Sequence, residues 1–165
     1  MSQPTRLTGA QETSLAIAAA VVTANAYYIH PIIAEVADYF GVSHSRIGLV
    51  PALNQIALAV GIFLLLPLGD RISNRRLTIT FAAGQTASIA LMAIARGFTL
   101  FVIGSTMLGF FTIAPYLLPA YASKRVAPER LGQVTAKLAA GVILGILIAR
   151  VGAGVVAEHF GWRMI

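Results

Sequence analysis

The chain has 165 residues, of which 58% are hydrophobic and 11% charged, with a mean hydropathy of +0.81 and a formal net charge of +6. A soluble domain carries roughly 25% charged residues; at half that, a water-exposed surface cannot be covered, so the class is an all-α integral membrane protein, a multi-pass helical bundle. The absence of cysteine excludes disulfides, thiol chemistry and cysteine-held metal, and in such a chain surplus basic residues mark cytoplasmic loops rather than a nucleic-acid partner.

A spanning helix needs about 20 mainly apolar residues, and five segments qualify. The first runs from Ser14 to Tyr39, with Asn25, His30 and Glu35 inside it. Arg6, the apolar run Ser14 to Val22 and Ala24-Asn25-Ala26 also have the outline of a signal peptide. That basic region is one residue, however, and four longer apolar segments follow, so a first transmembrane helix explains the same letters. The second span is Ile47 to Leu68 and the third Leu77 to Ala95. The fourth is Phe98 to Ala122, with Pro115 and Pro119 expected to kink it; the fifth is Leu138 to Ala157, interrupted by Arg150. The connections Phe40 to Arg46, Gly69 to Arg76, Arg96-Gly97 and Ser123 to Lys137 leave no room for an extramembrane domain. Alternating ten-residue strands are absent, which excludes a membrane barrel.

Orientation follows from Lys and Arg. With the N-terminus inside, Arg6, Arg71, Arg75, Arg76, Lys124, Arg125, Arg130 and Lys137 are cytoplasmic, eight residues against Arg46, Arg96 and Arg163 outside. In the tail, Gly161 and Trp162 read as an outer-interface turn and Arg163 onward as the start of another helix, so the chain reads as interrupted. At a shift of 84, Pro31 matches Pro115, Arg46 matches Arg130, Gly48 matches Gly132 and Gly61 matches Gly145. Three spans separate the copies, which gives them opposite orientation, as in inverted three-helix transporter repeats.

Charge is concentrated in "LGDRISNRRL", Leu68 to Leu77, between two long stretches without any. As residues alone, this is a cytoplasmic turn with Ser73 and Asn74 as turn and cap formers and three arginines facing anionic headgroups. Topology anchoring needs no acid, yet Asp70 stands at the lipid boundary, where a carboxylate calls for a partner. Inside the spans, Arg150 either snorkels to the outer interface or enters a cavity, to bind an anionic group or pair with Glu35. Asn25 and Tyr28 share a helix face, as substrate contacts or interhelical glue. His30 either carries a proton or satisfies the backbone distorted by Pro31. Gln55 is placed to line the same cavity, and Gly141 and Gly145 to serve close helix packing. No phosphate-binding loop, metal cluster or nucleophile–base pair is present, and His44 and His159 lack ligand spacing, so neither an enzyme nor a cofactor is expected.

"LGDRISNRRL" resembles the helix 2–3 loop motif of the major facilitator superfamily, G-x-L-a-D-R-x-G-R-R. Leu68, Gly69, Asp70, Arg71, Arg75 and Arg76 align with it; Leu66 and Ser73 stand at the glycine positions and Asn74 at a basic one. Asn25-Ala-Tyr-Tyr-Ile-His-Pro31 is similar to the N-x-Y-Y-x-Q-P signature of a bacterial drug- and sugar-efflux-like branch, with His30 in place of Gln. Phe40-Gly-Val-Ser43, Asn54-Gln55, Ala127-Pro-Glu-Arg130 and Gly161-Trp-Arg163 look like the same branch. Gly141-x-x-x-Gly145 resembles the start of the helix 5 antiporter motif, with Ile146 where the proline would stand.

The resemblance implies five of the six helices of the N-terminal half of such a transporter, in the cell's inner membrane. It implies a substrate path between two six-helix halves, proton coupling and efflux of a small organic solute. Asp70, Arg71, Arg75 and Arg76 would then form a cytoplasmic latch, and the fragment alone would not complete a cycle without its C-terminal half. The alternative is a truncated, non-transporting membrane protein acting as an assembly partner.

Overall fold

A computed structural model describes residues 7–165, apart from the side chains of Asp70 and Asn74; Arg6 lies outside the described residues. The described residues hold no strand. They form α1 (Gly9–Asn25), α2 (Ile33–Phe40), α3 (His44–Ile47), α4 (Leu49–Leu65), α5 (Asn74–Ile94), α6 (Phe98–Phe111), α7 (Ala114–Ser123) and α8 (Pro128–Phe160), with 3-10 turns at Leu66–Asp70 and Trp162–Met164.

Four stretches are long and apolar enough to cross a membrane: His44–Gly69, Arg75–Ile94, Phe98–Ser123 and Pro128–Phe160. The first expected span is two helices, α1 and α2, separated by turns over residues 26–32. Pro31 is the local cause, since it has no N–H to return to the carbonyl of Tyr27. The fourth span is likewise divided at Thr112 and Ile113, one turn ahead of Pro115, while α7 continues through Pro119. The two interruptions thus accompany the two prolines that the shift of 84 relates. The fifth span is longer than its apolar run. Pro128 opens α8 with its φ preset for a first turn, so most of the expected Ser123 to Lys137 connection is helix, and α8 runs unbroken past Arg150.

The ends are chemically marked. Thr8 and Gln11 form a reciprocal capping box at the start of α1 (2.9 and 3.3 Å). α2 stops at Gly41, whose φ of +60° suits a residue without Cβ. There Gly41 N–H donates to Asp38 and Val42 N–H to Ala37.

Three seams hold the bundle: α1 on α8, α4 on α6, and α5 on α6. Between helices in lipid, association relies on close van der Waals fit rather than on a hydrophobic drive. The first two seams achieve it with glycine. A Cβ on Gly141 or Gly145 would collide with the backbone carbonyls of Ala16 and Ala20; one on Gly61 would lie 2.6 Å from the Phe110 carbonyl oxygen, and one on Gly109 would strike that of Asn54. Gly61 and Gly145 are a repeat-related pair. They occupy corresponding seams, second span on fourth and fifth span on first, as inverted repeats require.

Gly145→Ala should therefore cost about 1–3 kcal/mol through overpacking against α1. Gly154→Ala, where nothing lies within 4 Å, should be neutral or gain up to about 1 kcal/mol. Reversible unfolding in mixed micelles measures both; equal effects would refute the seam assignment.

Candidate substrate path and inner loop

Each helix interruption orphans a carbonyl. At the end of α1, Ala26 N–H donates to Thr23 at 3.0 Å rather than one residue further back, which leaves the Val22 carbonyl without its usual donor. At the end of α6, Thr112 N–H donates to Gly109 at 3.1 Å, which leaves Leu108 in the same position. Side chains fill both gaps. Gln85, on α5 and only 3% exposed, donates Nε2–H to the Val22 carbonyl (3.3 Å) and to Thr112 Oγ1 (2.8 Å). Thr112 Oγ1–H donates in turn to Leu108 (2.7 Å).

Gln85 Oε1 accepts from Asn25 Nδ2 at 3.4 Å, and Asn25 Oδ1 accepts from the Tyr28 hydroxyl at 2.9 Å. One uncharged chain, Tyr28 to Asn25 to Gln85 to Thr112, thus joins the two interruptions. Asn25 and Tyr28 come together as their spacing predicts. Gln85 and Thr112 went unnoticed in the sequence, because each is an isolated uncharged residue outside any motif.

Asn25 and Tyr28 also line a cavity of about 70 Å³ between the first interruption, α4, α5, α6 and the tail. The residue of α4 that reaches it is Asn54, 1% exposed; its half-buried neighbour Gln55 is not in the lining. Asn54 Nδ2 donates to the Ser105 carbonyl at 2.7 Å, while Asn54 Oδ1 and Ser105 Oγ are buried without a partner. Such a lining can hydrogen-bond a neutral polar group but offers an acid or anion little. Arg163 borders it, with its guanidinium engaged on the carbonyls of Ala93 (2.5 Å) and Ala95 (2.7 Å) at the end of α5. There it complements the negative helix terminus. The tail is a single 3-10 turn at this point, with Trp162 packed edge-on to Tyr39 and Phe101.

His30 and Arg150 belong to a different cluster. His30 Nδ1 lies 3.3 Å from the Tyr27 carbonyl, which Pro31 cannot reach and which also accepts the His30 backbone N–H at 3.4 Å, so an Nδ1–H tautomer adds a second bond to it. Its ring stacks on Tyr27, and the Arg150 guanidinium sits 6.0 Å from the same Tyr27 ring. Arg150 is exposed and forms no ion pair with Glu35 among the described residues; the aromatic face is what it meets.

Between α4 and α5, the 3-10 turn Leu66–Asp70 brings the charged island round, with the Leu68 carbonyl accepting from Arg71 N–H (3.0 Å) and Ile72 N–H (2.8 Å). A Cβ on Gly69 would lie 3.0 Å from a terminal methyl of Leu117 on α7, so the turn packs closely on that helix. Arg71, Arg75 and Arg76 are exposed, while the Asp70 side chain falls outside the described residues. Arg75 and Arg125 border a large apolar groove between α1, α5 and α7. A buried acid also emerged that sequence reasoning passed over: Glu12, 5% exposed, pairs with Arg130 at 2.9 Å and ties the start of α1 to the start of α8. Lys137 Nζ adds a bond to Thr13 Oγ1 at 2.8 Å.

The family described as Major Facilitator Superfamily matches residues 15–165. The uncharacterized transporter YgaY of Escherichia coli O157:H7 is 29% identical over 151 residues, covering 92% of this chain and 38% of that protein. The probable transporter SCO4007 of Streptomyces coelicolor is 28% identical over 151 residues, covering 92% and 35%. The chain therefore spans little more than a third of the length of these curated relatives. No solved structure matches it significantly.

Removing Arg130 strands a buried carboxylate. Arg130→Ala should destabilise the bundle by about 1–2 kcal/mol, less than a fully buried pair would lose because Arg130 is half exposed. Adding Glu12→Gln should recover part of that loss. A double-mutant cycle by unfolding titration tests this, and strict additivity would refute the pairing.

Proposed function

Since the chain belongs to the Major Facilitator Superfamily and is a multi-pass membrane protein, we propose that it contributes the first five helices of a secondary active transporter. The solute it moves is a small organic molecule, exported across the inner membrane in exchange for protons. The N-terminus is cytoplasmic, and the path runs between this bundle and a second six-helix half. The fragment by itself is inactive.

The observation that carries this reading is the meeting of two interrupted helices around an uncharged polar chain within the membrane. Interrupted helices with polar side chains deep in the bilayer mark substrate paths in transporters, and polar groups are costly there without a task. Asn25 and Tyr28 contact the solute. Asn54 meets it from α4, with Gln55 beside it entering the path only when the halves open, and Arg150, exposed beside Tyr27 and His30, is the cation that attracts it or senses its charge. Asp70, Arg71, Arg75 and Arg76 latch the inner end, on a turn that Gly69 seats against α7. Gly141 and Gly145 keep α1 and α8 together as the halves rock.

In the full-length protein reconstituted in liposomes, Arg150→Ala should abolish solute flux driven by a proton gradient, while insertion and melting stay unchanged. Flux equal to the parent would remove Arg150 from the path. The chain has no cysteine, so Ser73→Cys and Arg96→Cys report topology directly. An impermeant maleimide added to intact cells should label only position 96; label at position 73 would reverse the orientation.

A further inference from the structure

We propose that Gln85 is a positioning residue that couples the two helix interruptions, so that a change of bend at one is felt at the other. Gln85 itself lines no cavity described here. It reaches the first interruption through Val22 and Asn25 and the second through Thr112. All three bonds come from one amide, 3% exposed, on a helix that is itself uninterrupted. An amide with both its polar atoms engaged in an apolar surround has one low-energy orientation, so neither partner can shift without moving it. Thr112, 2% exposed, relays the constraint to Leu108.

The consequence for α2 and α7 is direct. Each continues a broken helix beyond its interruption, where backbone bonds reach the third residue back rather than the fourth, as in Ala26 to Thr23 and Thr112 to Gly109. Gln85 supplies the side-chain substitute directly at Val22 and through Thr112 at Leu108. The two half-helices then tilt together, and Asn25, held by the same amide, keeps the Tyr28 hydroxyl in place through the tilt. The coupling rests only on the hydrogen bonds; its value for transport rests on the function proposed above.

Hydrogen exchange of the protein in lipid nanodiscs separates the two. Thr112→Val removes the relay while keeping shape. It should speed exchange several-fold at residues 108–116 and also at residues 26–32, more than eighty positions earlier in the chain. Thr112→Ser, which keeps the hydroxyl, should restore both. In a Gln85→Met background, residues 26–32 should already exchange fast, and Thr112→Val should add nothing there. Acceleration confined to residues 108–116, or an equal further gain at residues 26–32 in the Gln85→Met background, would overturn the coupling whatever the protein transports. If the coupling holds and flux in the full-length protein is unchanged by Thr112→Val, the contribution to transport is refuted instead.

Discussion

A lipid-embedded helix can be interrupted only where something replaces the backbone hydrogen bonds it loses, and that constraint shapes this molecule. Two helical stretches are interrupted, and they draw replacements from Gln85 and Thr112. Those replacements put polar side chains in the interior, and the polar side chains give an otherwise apolar interior its hydrogen-bonding groups. Without them the prolines at positions 31 and 115 would be liabilities. With them, Pro31 and Pro115 set where the chain bends, and the bends bring Asn25, Tyr28 and Gln85 within reach of one another.

Around that polar centre the bundle is assembled by subtraction. Glycine at positions 61, 109, 141 and 145 lets backbones touch where larger residues would hold them apart. The two seams so formed are related by the internal repeat, each joining one repeat to the other. Glu12 and Arg130 close one end of a seam with charge; at the opposite end, Tyr39, Phe40, Phe101 and Trp162 close the bundle with aromatic packing. The middle is left to hydrogen bonds, which hold without demanding bulk.

Much of this was legible in the letters. Long charge-poor runs pointed to the helices from α4 onward, although the first expected span is two helices, and the spacing of 84 pointed to Pro31, Pro115, Gly61 and Gly145, which lie at the two interruptions and in two glycine-lined seams. The position of each interruption was less legible. A proline shows that a helix must adjust, but the adjustment falls where a partner can satisfy the freed carbonyl: Gln85 for Val22, 63 residues away, and for Leu108 the nearby Thr112, itself held by Gln85. Gln85 carried no signal because an uncharged residue in an apolar run reads equally as lipid-facing or buried.

Asn54 and Gln55 show the same limit at finer scale. Adjacent residues on a helix point about 100° apart, and composition alone does not say which one turns inward. Glu12 carried no signal because it precedes the apolar run that starts at Ser14.

The contacts of Arg163 bear on the order in which this chain is made. Its guanidinium binds carbonyls about 70 residues behind it, and Trp162 closes against residues of α2 and α6. During synthesis the end held by Glu12 can settle once α8 has begun, since Arg130 already meets that carboxylate. The opposite end gains the contacts of Trp162 and Arg163 only when those residues have been made. The described bundle can thus zip up in one direction, from the Glu12 end towards Trp162.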